Sequence, residues 1–110
     1  MGVLVVSQAW TLDDGFHADE YLRLQRLFLD FMRQHPGFRG RQLLRSLEDR
    51  THFTHIRHFD SIAAYEELTQ FPGYQERILE MGQHLKPYQS YPREYLEIVI
   101  DDLPERSAAG

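Results

Sequence analysis

The amino-acid sequence predicts an α+β fold of the ferredoxin-like type, in which two helices cover one face of an antiparallel sheet. Two observations lead to this fold class. Runs with strand and helix periodicity follow one another as strand, helix, strand, strand, helix, strand, a βαββαβ order. The chain has 110 residues, 42% of them hydrophobic, which is enough to bury one core but not two. We therefore expect a single domain over residues 1–103 and a flexible C-terminal tail over residues 104–110.

The first two elements are a strand and an amphipathic helix. Val3 to Trp10 is rich in β-branched and apolar residues and ends at the turn-forming sequence LDDG. From Ala18 to Gln34, apolar residues recur every three or four positions, and the sequence HPGF ends the run. This helix is predicted to bury one face.

A hairpin follows the first helix. Two short strand-like runs, Arg41 to Leu47 and His52 to Phe59, are joined by the polar sequence EDR. Their length and separation predict two neighbouring antiparallel strands.

The last part of the domain contains a second helix and a final strand. Asp60 or Ser61 can cap a helix that starts with Ile62 to Thr69. The sequence FPG interrupts it, and an apolar stripe resumes from Tyr74 to Leu85, which predicts either a kink or a second start. The sequence EYLEIVID, Glu94 to Asp101, predicts the last strand.

The composition excludes several classes of protein. Twelve Lys and Arg against 17 Asp and Glu give a net charge of −5, and no basic run is present, so we expect no nucleic-acid partner. The chain has no cysteine, which rules out disulfides, thiolate metal sites and cysteine nucleophiles. No apolar run approaches the ~20 residues of a membrane span, and the start MGVLVV lacks the features of a signal peptide. We therefore expect a cytoplasmic protein without a membrane partner.

The first strand is apolar on both of its faces. Val3 and Val5 point to one side, and Leu4 and Val6 point to the other. A sheet with one side in water shows strict alternation, so this pattern predicts that something covers the second side. The sheet of a second copy is the simplest cover, and we expect a homodimer.

Two further residues of this strand are candidates for binding a small molecule. Gln8 and Trp10 point to the same side as Leu4 and Val6. We expect them to line a cleft between the helices and the sheet, with a core position as the alternative for Trp10.

The sequence THFTHIRHFDS places three histidines close together, which looks like a metal site. Side chains alternate along a strand, so His52 and His58 share one face, roughly 20 Å apart at ~3.3 Å per residue, while His55 points to the other. We therefore expect no metal. On its own face His55 lies between Phe53 and Phe59, which favours a neutral imidazole that can act as a base. The alternative is a histidine at the edge of the core, bonded to a backbone carbonyl.

Two stretches, HPGFRGRQLLRS and FTHIRHFDSIAAYEEL, resemble the antibiotic biosynthesis monooxygenase family of dimeric α+β barrels, and the resemblance covers about Val3 to Asp101. The family pattern is Pro-Gly-Phe after the first helix, a strand that ends in Trp-Glu-Ser, and a helix that carries an aromatic residue. The corresponding residues here are Pro36-Gly37-Phe38, Phe59-Asp60-Ser61 and Tyr65. The family contains cofactor-free oxygenases of anthrones and quinols, haem-degrading enzymes and members of unknown activity.

The resemblance implies a set of site residues. In the cofactor-free oxygenases the site uses a strand residue four before the Trp, the Trp itself, a Tyr six after it, and an Arg on the second helix. These positions fall on His55, where an Asn is usual, on Phe59 in place of Trp, on Tyr65, and on Arg77 as the nearest arginine. The haem-degrading members fit worse, because their helix Trp and His have no counterpart in EELTQFPGYQERI, so we expect no haem and no other cofactor.

The function implied by the resemblance is cofactor-free oxidation of a small electron-rich aromatic compound, a quinol or an anthrone, by O2. His55 would take a proton or orient the enol, Tyr65 would hydrogen-bond the oxygen, and Arg77 would stabilise the anion. Phe53, Phe59 and Trp10 would exclude water. Tyr65 alternatively serves packing alone, and Arg77 alternatively pairs with a glutamate of its own helix. A noncatalytic dimer that binds small molecules and an isomerase or cyclase are the alternative functions.

Overall fold

A computed structural model describes residues 2–87 and 93–104 of the chain. The predicted α+β class and the order of the elements are confirmed, with the second helix divided in two. The elements are β1 (Val3–Trp10), α1 (Phe16–Met32), β2 (Phe38–Arg45), β3 (His52–Phe59), α2 (Ile62–Thr69), α3 (Tyr74–Gly82) and β4 (Arg93–Glu97). Of the predicted tail, 104–110, all but Pro104 lies outside the described residues.

The four strands form one antiparallel sheet in the order β2-β3-β1-β4. One face, here called the inner face, packs against the helices: Phe53 on β3 contacts Tyr21 of α1, and Phe59 contacts Tyr65 of α2. The opposite face is called the outer face. Residues along β3 alternate strictly between partly exposed and buried, as a strand covered on one side requires.

The first helix begins and ends two residues earlier than the predicted range, Ala18 to Gln34. Asp13 fixes the start, because its Oδ1 accepts hydrogen bonds from the backbone N–H groups of Gly15, at 3.0 Å, and His17, at 2.8 Å. None of the helices in the described residues is long and apolar enough to span a membrane.

Strand β2 lies earlier in the chain than the predicted run, Arg41 to Leu47. Phe38 is already paired with β3 and buried in the core. The register shifts between Phe38 and Gly40, whose φ of 122° is favourable for glycine, so the sequence FRGR contains a bulge instead of a turn. The strand ends where Ser46 Oγ accepts the backbone N–H of Asp49 at 3.0 Å.

The second helical region is two helices. Ser61 caps α2, as predicted, by accepting the backbone N–H of Ala64 at 3.1 Å. The helix ends at Thr69, and α3 starts after Gly73, which has a φ of 95°. The interruption is therefore a new start with its own direction and not a kink in one helix.

The last strand is shorter than the predicted Glu94 to Asp101, and ends at Glu97. The length of β4 is limited by its partner strand. β4 pairs with β1 from Arg93 opposite Ser7 to Glu97 opposite Val3, and β1 begins at Val3. Beyond Glu97, little of the chain before Val3 remains for β4 to pair with.

Candidate functional site

A cavity of about 820 Å³ lies between the inner face of the sheet and the three helices. Its volume falls within the range of about 300–1,000 Å³ that is typical of small-molecule sites. Polar groups from three strands and three helices meet there, among them those of His55, Arg57, Tyr65, Tyr74, Arg93 and Tyr95. We refer to this space as the cavity.

His55 lies at the base of the cavity and is 6% exposed. Its neighbours on the inner face of β3 are the buried Phe53 and Arg57, with Phe59 beyond Arg57, so the setting predicted as apolar contains a cation as well. Burial lowers the pKa of His55 well below its usual value, and the nearby charges of Arg57 and Arg41 lower it further. The imidazole is therefore neutral at neutral pH.

The imidazole of His55 is in contact with Arg41 of β2. The Arg41 Nη1 atom lies 3.5 Å from His55 Nε2. Arg41 Nη1 also donates to Gln25 Oε1 at 2.5 Å, so its contact with the imidazole is the weaker of the two. The partner of Nε2 is thus a cation and not the backbone carbonyl considered from the sequence.

Tyr65 brings a phenol to the same cavity from α2 and is 3% exposed. Its ring contacts Phe59 edge-on at a centroid distance of 5.4 Å. Tyr74, at the start of α3, is its neighbour: burial, the proximity of Tyr65 and a hydrogen bond with it raise the pKa of Tyr74 to about 12. Helices α2 and α3 therefore place two hydroxyl groups side by side opposite the strand that carries His55.

Arg57 is a residue of this site that the sequence reasoning missed. It lines the cavity, is 5% exposed, and donates from Nη2 to Ser7 Oγ, while its guanidinium carbon lies 5.3 Å from the centre of the Tyr65 ring. Its Nε has no hydrogen-bond partner among the described residues. The available signal was the alternation of β3, which places Arg57 on the same face as His55.

Arg77 does not join this cavity. Its Nη1 donates to the backbone oxygen of Gly73 at 3.0 Å, and its guanidinium carbon lies 4.3 Å from the centre of the Phe31 ring. It borders a separate pocket beside α1. The structure therefore brings His55 and Tyr65 together but leaves the predicted third catalytic residue outside their cavity.

Trp10 and Gln8 direct their side chains to the outer face, which corrects the expectation that both line a cleft under the helices. The Trp10 ring stacks on His52 at a centroid distance of 4.4 Å. Gln8 borders the cavity, but its Oε1 accepts hydrogen bonds from His52 Nε2 and Thr54 Oγ1, both at 2.7 Å. The two-sided apolar pattern of β1 did not reveal which side meets the helices.

The three histidines of β3 are divided as alternation predicts. His55 faces the cavity, and His52 is bonded to Gln8 on the outer face, which His58 shares by its even position. Within residues 2–87 and 93–104, no group of three or more His, Cys, Asp or Glu side chains has an arrangement that could hold a metal ion.

Comparison with known proteins gives one family match and many structural matches. The family model for "Antibiotic biosynthesis monooxygenase" matches residues 4–78. No curated protein matches the chain. The structure of SnoaB, a cofactor-independent oxygenase from Streptomyces nogalater, is similar with a TM-score of 0.78 and 16% identity, over 94% of this chain and 98% of that one.

Two further structures are similar over nearly their whole length. Rv0793 from Mycobacterium tuberculosis has a TM-score of 0.73 and 19% identity, covering 94% of this chain and 100% of that one. A conserved protein from Methanosarcina mazei Go1 has a TM-score of 0.75 and 10% identity, covering 86% and 90%. At these identities the structural likeness establishes the fold alone.

Proposed function

Because the chain belongs to the antibiotic biosynthesis monooxygenase family, we propose that it is a cofactor-independent monooxygenase that oxidises a small electron-rich aromatic compound with O2. One observation carries the proposal: the neutral imidazole of His55 and the phenol of Tyr65 face one cavity of about 820 Å³. A base and a hydrogen-bond donor on opposite walls suit a reaction that starts with loss of a proton and develops charge on oxygen.

The reaction can be written for an anthrone, whose reactive carbon is a methylene group. The imidazole of His55 takes one proton from this carbon, and the resulting enolate reduces O2 by transfer of one electron. Recombination of the two radicals forms a carbon–oxygen bond, and His55 returns its proton to the peroxide. Loss of water then leaves a carbonyl group, so that one methylene group and one molecule of oxygen become one carbonyl group and one molecule of water.

The surroundings of His55 define how each group would act. Arg41 and Arg57 oppose a lasting positive charge on the imidazole, which favours early return of the proton to the peroxide. The Tyr65 hydroxyl would donate a hydrogen bond to the oxygen that becomes negative. Phe53 and Phe59, which are 1% and 0% exposed, would keep water away from the imidazole. Arg57 and Arg41, the cations that act on His55, take the place that the family resemblance gave to Arg77.

We also propose that the protein acts as a homodimer in the cytoplasm. The outer face carries apolar side chains on all four strands, including Leu4, Val6 and Ile56, and it leaves Leu44 47% and Leu96 41% exposed. A second copy of the sheet would cover them. For the cytoplasmic location, the absence of cysteine permits a reducing compartment.

The direct test is oxygen uptake with a panel of anthrones and hydroquinones. We expect a rate above that of the uncatalysed reaction, and a loss of about 10²-fold or more in His55→Ala, the usual effect of removing a positioned base. His52→Ala and His58→Ala are the matched controls, because they remove the same group from the other face of β3 and should lose little. Circular dichroism and thermal melts would establish that each variant is folded.

Two outcomes would contradict the proposal. Equal losses in all three variants, or full activity in His55→Ala, would remove His55 as the base. Absence of oxygen uptake over the whole panel would favour a noncatalytic binding protein or an isomerase.

A further inference from the structure

We propose that the ligand of the cavity carries a carboxylate, and that Arg57 is the residue that binds it. The inference rests on the proposed function only in using the same cavity, because it concerns binding and not oxidation. Arg57 thereby determines specificity for an anionic aromatic compound.

The first argument is the charge balance of Arg57. The guanidinium is about nineteen-twentieths buried, with 5% of the residue exposed. Its contacts are the hydroxyl of Ser7 and the ring of Tyr65, both neutral groups. Among the residues that the structure describes, no carboxylate lies within 4.0 Å of it. A buried cation without a counter-ion is strongly unfavourable, so a compensating anion is expected from outside the chain.

The second argument is the arrangement of neighbouring charges. Arg41 lies directly opposite Arg57 on β2, so two cations are cross-strand neighbours on the inner face. Like charges in this position destabilise a sheet. Arg41 bonds to neutral acceptors as well, the side-chain and backbone oxygens of Gln25 at 2.5 and 2.6 Å. Neither arginine can therefore neutralise the positive charge of the other.

The third argument is that positive charge gathers at the cavity of a protein with a net charge of −5. Arg93 of β4 also lines the cavity, and a hydrogen bond with Tyr95 raises its pKa. Among the described lining residues Glu66 is the one carboxylate, and it is exposed on α2. The local excess of cations is opposite to the charge of the whole chain, which indicates a site for an anion.

The nature of the anion follows from the resting state of the protein. An enolate forms only during the reaction, whereas Arg57 is buried and charged before any reaction occurs. A carboxylate is ionised throughout, and a planar guanidinium is well suited to bind it. The Nε–H of Arg57 is buried and has no acceptor in the described part of the chain, so the hydrogen bonds of this guanidinium are incompletely satisfied. The rings of Tyr65 and Tyr95 on the adjacent walls suit an aromatic body for the same molecule.

The test compares three carboxylates with their uncharged amides: benzoate with benzamide, 2-naphthoate with 2-naphthamide, and anthraquinone-2-carboxylate with anthraquinone-2-carboxamide. Isothermal titration calorimetry would give the dissociation constants. We expect the largest carboxylate to bind about tenfold or more tightly than its amide, the scale of one charged hydrogen-bonded contact. In Arg57→Gln this preference should disappear.

The matched control is Arg39→Gln, which removes the same charge from an exposed position paired with Asp60. It should keep the full preference for carboxylates. Arg57→Lys retains the cation without the planar fork and should keep part of the preference, which provides a second measurement if Arg57→Gln does not fold.

Three results would overturn the inference: equal binding of acids and amides, a preference that survives Arg57→Gln, or no carboxylate binding below a Kd of about 1 mM. Binding and oxidation also separate the two proposals. Oxygen uptake with neutral anthrones but no carboxylate preference would leave the proposed function intact and overturn the anion site. A carboxylate preference without oxygen uptake would do the reverse.

Discussion

The two faces of β3 differ in burial and in chemistry although they belong to eight consecutive residues. The inner face carries four buried residues, Phe53, His55, Arg57 and Phe59. The two polar ones, His55 and Arg57, line the cavity. The outer face carries polar and apolar groups that are partly exposed, and His52 is bonded there to the side chain of Gln8. The same residue type, histidine, is therefore buried beside two arginines on one face and lies in a partly exposed polar cluster on the other.

This difference shows that position on the strand, and not closeness in sequence, assigns the role of a residue. Three histidines in seven positions suggest a metal site only if the alternation of side chains along the strand is not considered. Because side chains alternate along the strand, His55 points away from His52 and His58. It lines the same cavity as Tyr65, which is ten residues further along the chain.

The largest effect on stability is expected for Phe53→Ala. Phe53 is 1% exposed and packs against Tyr21, so its removal leaves a cavity in the core and should lower the free energy of unfolding by about 3–5 kcal/mol. Thr54→Ala, one residue further on, removes only a hydrogen bond to Gln8 on the outer face and should cost about 1 kcal/mol. Urea unfolding measures both, and similar losses would contradict the assignment of faces.

The second prediction concerns the outer face as a dimer interface. Val6→Asp places a charge among the apolar side chains of this face and should weaken association by about 2–3 kcal/mol, roughly a hundredfold, while each chain stays folded. Sedimentation equilibrium would measure the change. A wild-type protein that stays at its monomer mass of 13.1 kDa through micromolar concentrations would disprove the dimer.

The smallest effect is the contribution of His55 to stability as pH changes. Burial and the charges of Arg57 and Arg41 lower the pKa of His55 in the folded chain. As pH falls below about 6.5, the unfolded chain therefore binds a proton that the folded chain does not, and the free energy of unfolding decreases, by at most ~1.4 kcal/mol per pH unit. The contribution is constant above that range.

His55→Asn removes this contribution and keeps a polar group at the position. The variant should lose less stability than the wild type between about pH 6.5 and pH 5, since other titrating groups are shared by both proteins. Urea unfolding at a series of pH values gives the difference. Parallel curves for the two proteins would show that the histidine is not held in its neutral form.

Much of the fold could be predicted because its signals are local. The bounds of β1, β3 and α2 follow from β-branched runs, strict alternation and the Ser61 cap. Strand β2 could not be placed from its residues, since Gly40 resembles a turn residue until the strand beside it is known. The length of β4 also depends on its partner, because β1, the strand beside it, begins at Val3.

The candidate site could be predicted only in part. Alternation and the family resemblance placed His55 and Tyr65, which share the cavity. Arg77 was misplaced because the new start at Gly73 changes the direction in which α3 presents its residues. Arg57 was missed because a charged residue on a strand is ordinarily taken to face water, although its face of β3 also carries two phenylalanines.

The break between α2 and α3 divides one wall of the cavity between two helices. Tyr65 belongs to the short helix that Ser61 anchors to the end of β3, whereas Ile78 and Leu79 belong to a helix that starts anew after Gly73. Sequence change in α3 can therefore enlarge or reshape the space for a ligand while the groups that would carry out the chemistry keep their positions. One scaffold of this kind can diversify among compounds of different size without rebuilding its reactive centre.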